Sequence, residues 1–370
     1  MRFSLVVIAA LVALVTAAPP KWHQLTGYTF EQYVADYRKP HMKGSDEYAM
    51  REKLFNARLA EVMAFNAQPA SYKKGINHLS DWTDVERKRL NGRIPDTKAQ
   101  LTSAAFEVSA PAGFQAPLSV DYTKSYPPIL TAVKDQGQCG SCWAHAATES
   151  IESQFAIKSE GELFVLSQQQ ITSCTPNPDQ CGGTGGCAGA TAELAFDYVK
   201  SAGGITEEWM YSYTSYFGDS GVCSWNSTLQ TPFVNVTGYA RATRNNDSAV
   251  AASLTLNGPQ AISVDASHWF EYESGVYNGC NYSNNISMDH AVQLVGYGHD
   301  AALNLDYWLV RNSWSASFGE EGFIRLIRDN ECGTNVDWIT GGGGCIGENN
   351  TVWACGQCGI LYDVVYPLVA

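Results

Sequence analysis

The 370-residue chain carries eleven cysteines, too many for most chains that live in a reducing cytosol, so its fold is one stapled by disulfides. Eleven is odd. At least one thiol stays outside the staples unless two chains share a bridge, and a leftover thiol in an oxidising compartment needs a chemical reason. The N-terminus fits export: within residues 1–17, Arg2 precedes an apolar run that ends in small residues, the layout of a cleaved signal peptide. The alternative is an anchor helix, but spanning a hydrocarbon core takes about 20 apolar residues, and no later segment is continuously apolar for that length. Six Asn-x-Ser/Thr sequons, at Asn226, Asn235, Asn246, Asn281, Asn285 and Asn349, are read as glycosylation sites of a lumenal chain.

At this length the chain exceeds one ordinary domain of about 100–200 residues, and its charge divides it. Residues 19–115 hold 14 Lys plus Arg against 11 Asp plus Glu, or +3, whereas residues 116–370 hold 9 against 26, or −17. The total of −13 argues against nucleic acid or an anionic membrane surface as a partner, because both reward clustered basic residues.

Periodicity organises the same two parts. Residues 28–66 read as helix, with Glu47 and Arg51 spaced i,i+4 and Phe55 and Val62 on an apolar stripe. From Asp96 to Pro117 the chain is rich in Ala, Ser, Thr and Pro without period, which reads as an exposed linker and processing site. Residues 142–157 place Trp143, Ala147, Ile151 and Phe155 on one helical face, and residues 191–201 form a second helical pattern. The later runs AISVDA, HAVQLVGYG, YWLVRNSW and GFIRLIR are β-rich and separated by turn residues.

The densest chemical signal is Gln136-Gly-Gln-Cys139-Gly-Ser-Cys142-Trp143-Ala144, a Gly-rich turn feeding a helix that begins near Cys142. A thiol at a helix N-terminus feels the positive end of the dipole, which favours thiolate. The Cys142 N–H and the Gln136 amide are candidates to face an oxyanion. A thiolate needs a base, and His145, His268, His290 and His299 are the histidines of the later part. His290 opens a strand-like run, and Asn312 follows in another, positioned to accept from the imidazole while Trp314 shields the bond. By itself a histidine on a strand is more often a satisfied core residue than a base.

QGQCGSCWA, DHAVQLVGYG and YWLVRNSW resemble the three active-site blocks of the papain-like cysteine proteases. The Glu47–Asn66 helix resembles the interspersed propeptide signature of the cathepsin L-like branch, with Arg58 where that pattern usually has Asn and Val62 where it has Ile, and Gly75–Asp81 resembles its second motif. The resemblance implies an α+β, papain-like two-domain fold, helical on one side and β-barrel-like on the other, behind an N-terminal, mainly helical inhibitory propeptide. It places a signal peptide at 1–17, the propeptide at 18–115 and the peptidase domain at 116–370. It implies Cys142 as nucleophile, His290 as acid and base, Asn312 as orienter and Gln136 as oxyanion donor, with Gly189, Ala190, Ala291, Trp314 and Asp363 binding substrate. Ala190 stands where many relatives have Gly and is expected to narrow the cleft, and Asp363 is expected to give the main specificity pocket an acidic floor able to accept Arg. The implied disulfides are Cys139 with Cys187, Cys174 with Cys223, and Cys280 with Cys358, leaving the pairing of Cys181, Cys332, Cys345 and Cys355 open.

So read, the chain is a cysteine endopeptidase made as a zymogen, activated by propeptide removal at acid pH. It acts on proteins and peptides as a monomer without cofactor or metal, with its propeptide as intramolecular inhibitor. It belongs to the secretory pathway, in a lysosome, vacuole or the extracellular space, and off the membrane once the signal is cut. Two other readings compete. The Cys139/Cys142 and Cys355/Cys358 pairs have Cys-x-x-Cys spacing, which suits a metal or redox site, but their separation far exceeds the roughly 15–20 residues of a zinc ribbon. A catalytically silent binding or storage relative is disfavoured by the presence of all four site residues.

Overall fold

The computed structural model describes residues 19–92, 106–283, 285–335, 345 and 351–370; the expected signal segment and the Asn349 sequon lie outside them. The N-terminal part contains α1 (Phe30–Asp36), α2 (Asp46–Asn66), β1 (Tyr72–Lys74), α3 (Asp84–Lys88) and β2 (Phe106–Val108). After β3 (Val120–Asp121) come three helices, α4 (Cys142–Lys158), α5 (Gln168–Cys174) and α6 (Ala192–Ser201). Next are β4 (Val236–Ala242), α7 (Asp247–Asn257), β5 (Gln260–Val264), β6 (Tyr272–Tyr277) and β7 (His290–Asp300). The chain closes with β8 (Leu305–Arg311), β9 (Phe323–Ile327), β10 (Cys332–Asn335), β11 (Val352–Cys355) and β12 (Val364–Val369).

Two local expectations need correcting. The continuous helix over 28–66 is instead α1 and α2, broken where Pro40 lacks an N–H and Arg38 and Gly44 take positive φ. The stretch read as a plain linker contains β2, which pairs in parallel with β4 and extends the sheet edge.

The main sheet runs β1-β6-β9-β8-β7-β5-β12-β4-β2, with β3 against β7. Its central strands β5 and β7 are buried along almost their whole length. In β9 the burial alternates, so Ile324 and Leu326 face the core as a pleated strand requires. These join Trp269, Val292, Leu294, Trp308 and Val310 in one core. The other core surrounds α4: Trp143, Ala147 and Ile151 pack with Phe196 and Val199 of α6 and with Ala291 and Val365 of the sheet. Burying each such large side chain contributes about 1.5–3 kcal/mol. The polar residues Thr148, Ser150 and Ser153 of α4 are buried too, each returning its hydroxyl to the carbonyl four residues back.

The N-terminal part has its own small core of Leu25, Phe30, Tyr33, Phe55 and Val62. Arg51 pairs with Glu86 across it, and Arg58, at the position where the signature usually has Asn, donates to the Ser80 carbonyl at 3.0 Å. It attaches to the rest through β1, antiparallel to β6, through Asn77 donating to the Phe270 carbonyl (2.7 Å), and through an ion pair of Arg87 with Glu271. Disulfides close Cys139–Cys187, Cys174–Cys223 and Cys280–Cys358. The pairing left open by the sequence is Cys181–Cys345 and Cys332–Cys355, the latter joining directly opposed residues of β10 and β11. Asn226, Asn235, Asn246 and Asn281 are exposed and Asn285 is half-buried.

Candidate active site

Every other α-helix among the described residues has a side-chain N-cap, from Thr29, Ser45, Thr83, Ser167, Thr191 or Asn246. Helix α4 has none: the Ser141 hydroxyl turns instead to the Tyr213 hydroxyl at 2.7 Å. The positive end of a buried 17-residue helix is therefore left for Cys142, its first residue. Five disulfides take ten of the eleven cysteines, and the eleventh is Cys142.

His290 begins β7, and its Nε2–H donates to Asn312 Oδ1 at 2.8 Å, with both residues fully buried. The Trp314 ring covers the imidazole at 4.8 Å between centroids and is itself stacked on Phe270 at 5.0 Å. Burial lowers the His290 pKa to about 4, against the Asn312 bond, which raises it. Asn312 Oδ1 also accepts the Ser313 N–H, and the Ser313 hydroxyl donates to Gln136 Oε1 at 2.7 Å. With its oxygen so engaged, the Gln136 amide directs Nε2 at the Leu90 carbonyl (2.9 Å) and the Cys139 carbonyl (2.8 Å).

Leu90 lies two residues past α3, and its passage fixes how the two sides of the site face each other. The same Leu90 carbonyl bears on the His290 ring without forming a hydrogen bond of regular geometry. Asn91 donates to Asp289 Oδ2 at 2.9 Å on that side, while the Gly92 Cα lies against Gly140 on the other. Gly189 (φ 92°) must be glycine, since a Cβ there would meet the Gly92 carbonyl. Gln136, Gly140 and Gly189 thus line one wall, His290 and Asp289 the other, with the Leu90–Gly92 segment that follows α3 between them.

The remaining nominated residues fall differently. Ala190 is fully buried in the core that holds Cys142 and Ala291, so its methyl does not narrow the cleft. Ala291 pairs with Ser263 of β5, directly after His290. Asp363 is no open acidic floor: its Oδ2 accepts from the Ser263 hydroxyl (2.6 Å), and Arg241 Nη2 stands 3.5 Å from its Oδ1 and 2.6 Å from Glu193 Oε1. Arg241 is a buried counter-cation that the sequence did not single out, and nor was Ser313, although it stands beside Asn312 in the same block. His145 is buried and neutral: its Nδ1–H donates to the Ser141 carbonyl (2.9 Å), its ring meets Tyr213 edge-on, and burial lowers its pKa to about 3.

A thiol at an uncapped helix start, an imidazole oriented by a shielded amide, and an N-terminal segment laid through the cleft define a thiol hydrolase held in zymogen form. The chain belongs to the papain family of cysteine proteases: residues 116–341 match that family, and residues 30–86 match the cathepsin propeptide inhibitor domain. It is 34% identical over 354 residues to cathepsin L of Sarcophaga peregrina, covering 90% of this chain and 97% of that protein. It is 31% identical over 342 residues to procathepsin L of Mus musculus, covering 89% and 96%. Among solved structures, digestive procathepsin L 3 of the Tenebrio molitor larval midgut superposes with a TM-score of 0.71 at 26% identity, covering 92% of this chain and 97% of that one.

Proposed function

We propose that Cys142 cleaves peptide bonds as a thiolate paired with the His290 imidazolium. The sulfur attacks the substrate carbonyl carbon, and the oxyanion is met by the Gln136 Nε2–H at the start of α4. His290 gives its proton to the leaving amine as the C–N bond breaks, leaving a thioester on Cys142. Water then attacks that thioester while His290 takes its proton, and the acid product leaves with the thiolate restored. Asn312 holds the imidazole by Nε2 throughout, which keeps Nδ1 for the exchange.

The observation that carries this reading is the Leu90 carbonyl, held by Gln136 Nε2 and facing His290. A substrate carbonyl entering the cleft takes the same donor. Latency follows, because the propeptide segment Leu90–Gly92 must leave first. The boundaries proposed are a signal at 1–17, a propeptide at 18–115 and a peptidase domain at 116–370. The +3 propeptide on the −17 remainder makes acid the trigger, since protonating carboxylates on the acidic part weakens the attraction. The propeptide's own network survives that acid: burial of Glu86 acts upward, yet bonds from Arg51 and Thr83 hold its pKa down to about 2. Asp363, committed to Ser263 and Arg241, shapes the floor of the specificity pocket rather than charging it. Gly189, Ala291 and Trp314 complete the substrate-binding set. A monomer acting in an acidic lumen or outside the cell completes the proposal.

The test is maturation and gelatin digestion after acidification. Wild type is expected to do both, and Cys142→Ser and His290→Ala neither. Digestion by purified, intact Cys142→Ser protein would refute the assignment.

A further inference from the structure

Helix α4 carries a second functional residue on the face that bears Cys142. Seven residues is close to two turns, so Glu149 lies on that face about 10.5 Å further along the axis. The carboxyl is 1% exposed, its Oε1 has no hydrogen-bond partner, and its Oε2 stands 3.4 Å from Arg311 Nε. Arg311 is fully buried and immediately precedes Asn312. Its Nη1 donates to the Thr131 carbonyl (2.7 Å), while Nε and Nη2 have no hydrogen-bond partner. Nearby Glu152 is fully served, by Lys134 (2.9 Å), the Thr131 hydroxyl (2.6 Å) and the Leu166 N–H (2.8 Å). Lys134 and Glu152 therefore cancel each other, and among the described residues Glu149 is the one carboxylate paired with Arg311. Strand β7 contributes the neutral Gln293, bonded to Ser153, and His290; toward the start of α4 stand Cys142 itself, the neutral His145, and Tyr213, whose hydroxyl meets Ser141.

We propose that Glu149 is a charge-compensating and positioning residue for the catalytic pair: by neutralising Arg311 beside Asn312, it keeps the His290 imidazolium stable and so sets the alkaline edge of activity. The inference rests on the Cys142–His290 reading above. Without Glu149 a buried cation stands uncompensated next to the segment that orients the imidazole. An unopposed charge about 10 Å away at an effective dielectric constant near 20 moves an imidazolium pKa by about one unit. Burial pushes the Glu149 carboxyl up to about 7, opposed by Arg311 and Lys134 and aided by Glu152, so its charge is present on the alkaline side of neutrality.

The experiment is the pH profile of kcat/KM for acid-activated enzyme on a dipeptidyl reporter substrate. Glu149→Gln is expected to move the alkaline limb about one pH unit lower, with kcat at the optimum within about threefold of wild type. Glu149→Asp, which keeps the charge, is expected to restore the limb. The charge-balanced pair Glu149→Gln with Arg311→Met is expected to keep the wild-type limb, and it carries the test if the single variant does not fold. An unmoved limb in Glu149→Gln, or a limb displaced by a unit in the balanced pair, overturns the proposal. Activity surviving in Cys142→Ser would instead show that the underlying catalytic reading had failed.

Discussion

Replacing Asn312 by Ala removes the acceptor that holds His290. The bond is 2.8 Å long, both partners are fully buried, and Trp314 closes over it at 4.8 Å, so water cannot substitute. A buried hydrogen bond to a group that becomes charged is worth about 1.5–3 kcal/mol, which corresponds to about a 10- to 150-fold loss of rate. The loss belongs in kcat, because Asn312 orients the base and touches no substrate, and KM is expected to stay within about twofold. The sign of the pH effect also follows. The Asn312 bond raises the His290 pKa against burial; without it the imidazolium is lost at lower pH, and the alkaline limb of kcat/KM moves down. Steady-state kinetics from pH 4 to 9 on acid-activated enzyme, with near-ultraviolet circular dichroism to verify folding, reads both effects. A loss below about threefold, or one confined to KM, would refute the orienting role.

Arg87 ties the propeptide to Glu271, donates twice to the Leu79 carbonyl and lies 5.0 Å over the Phe270 ring. Arg87→Ala is expected to mature at least tenfold faster at pH 7 in a gel time course, and unchanged latency would exclude it as a latch. His145→Ala is expected to leave substantial turnover while His290→Ala abolishes it, since the His145 ring is committed to Ser141 and Tyr213. Asp363→Ala is expected to lower cleavage of dipeptidyl reporters with Arg and with Phe second from the cut alike, since its carboxylate is committed to Ser263 and Arg241; a loss confined to the Arg reporter would show an acidic floor instead.

Much of the candidate site's geometry was legible because its signals are local. A Gly-rich turn entering a helix, a histidine opening a strand and an Asn-Ser-Trp run are each short stretches whose chemistry depends on immediate neighbours. The bond from Ser313 to Gln136 was not, because it joins residues 177 positions apart that only the fold brings together. Arg241 reads in sequence as an ordinary strand residue, yet it is buried between carboxylates from α6 and from the turn before β12. Strand β2 was hidden for a related reason: its pairing depends on β4, more than a hundred residues later, rather than on any period of its own. The break between α1 and α2 was the one feature that local chemistry announced, through Pro40 and Gly44, and that helical periodicity on either side obscured. Pairing of Cys181 with Cys345 and Cys332 with Cys355 required coordinates, since four cysteines admit three arrangements.

The most direct measurement is covalent labelling with a thiol-directed epoxide, read by intact mass and peptide mapping before and after acid activation. With Leu90–Gly92 across the cleft and ten cysteines in disulfides, the proenzyme is expected to take no label. After propeptide removal one adduct is expected, on the peptide containing Cys142, with loss of turnover in proportion. An adduct on another residue, or full activity with Cys142 modified, would contradict its role as the nucleophile.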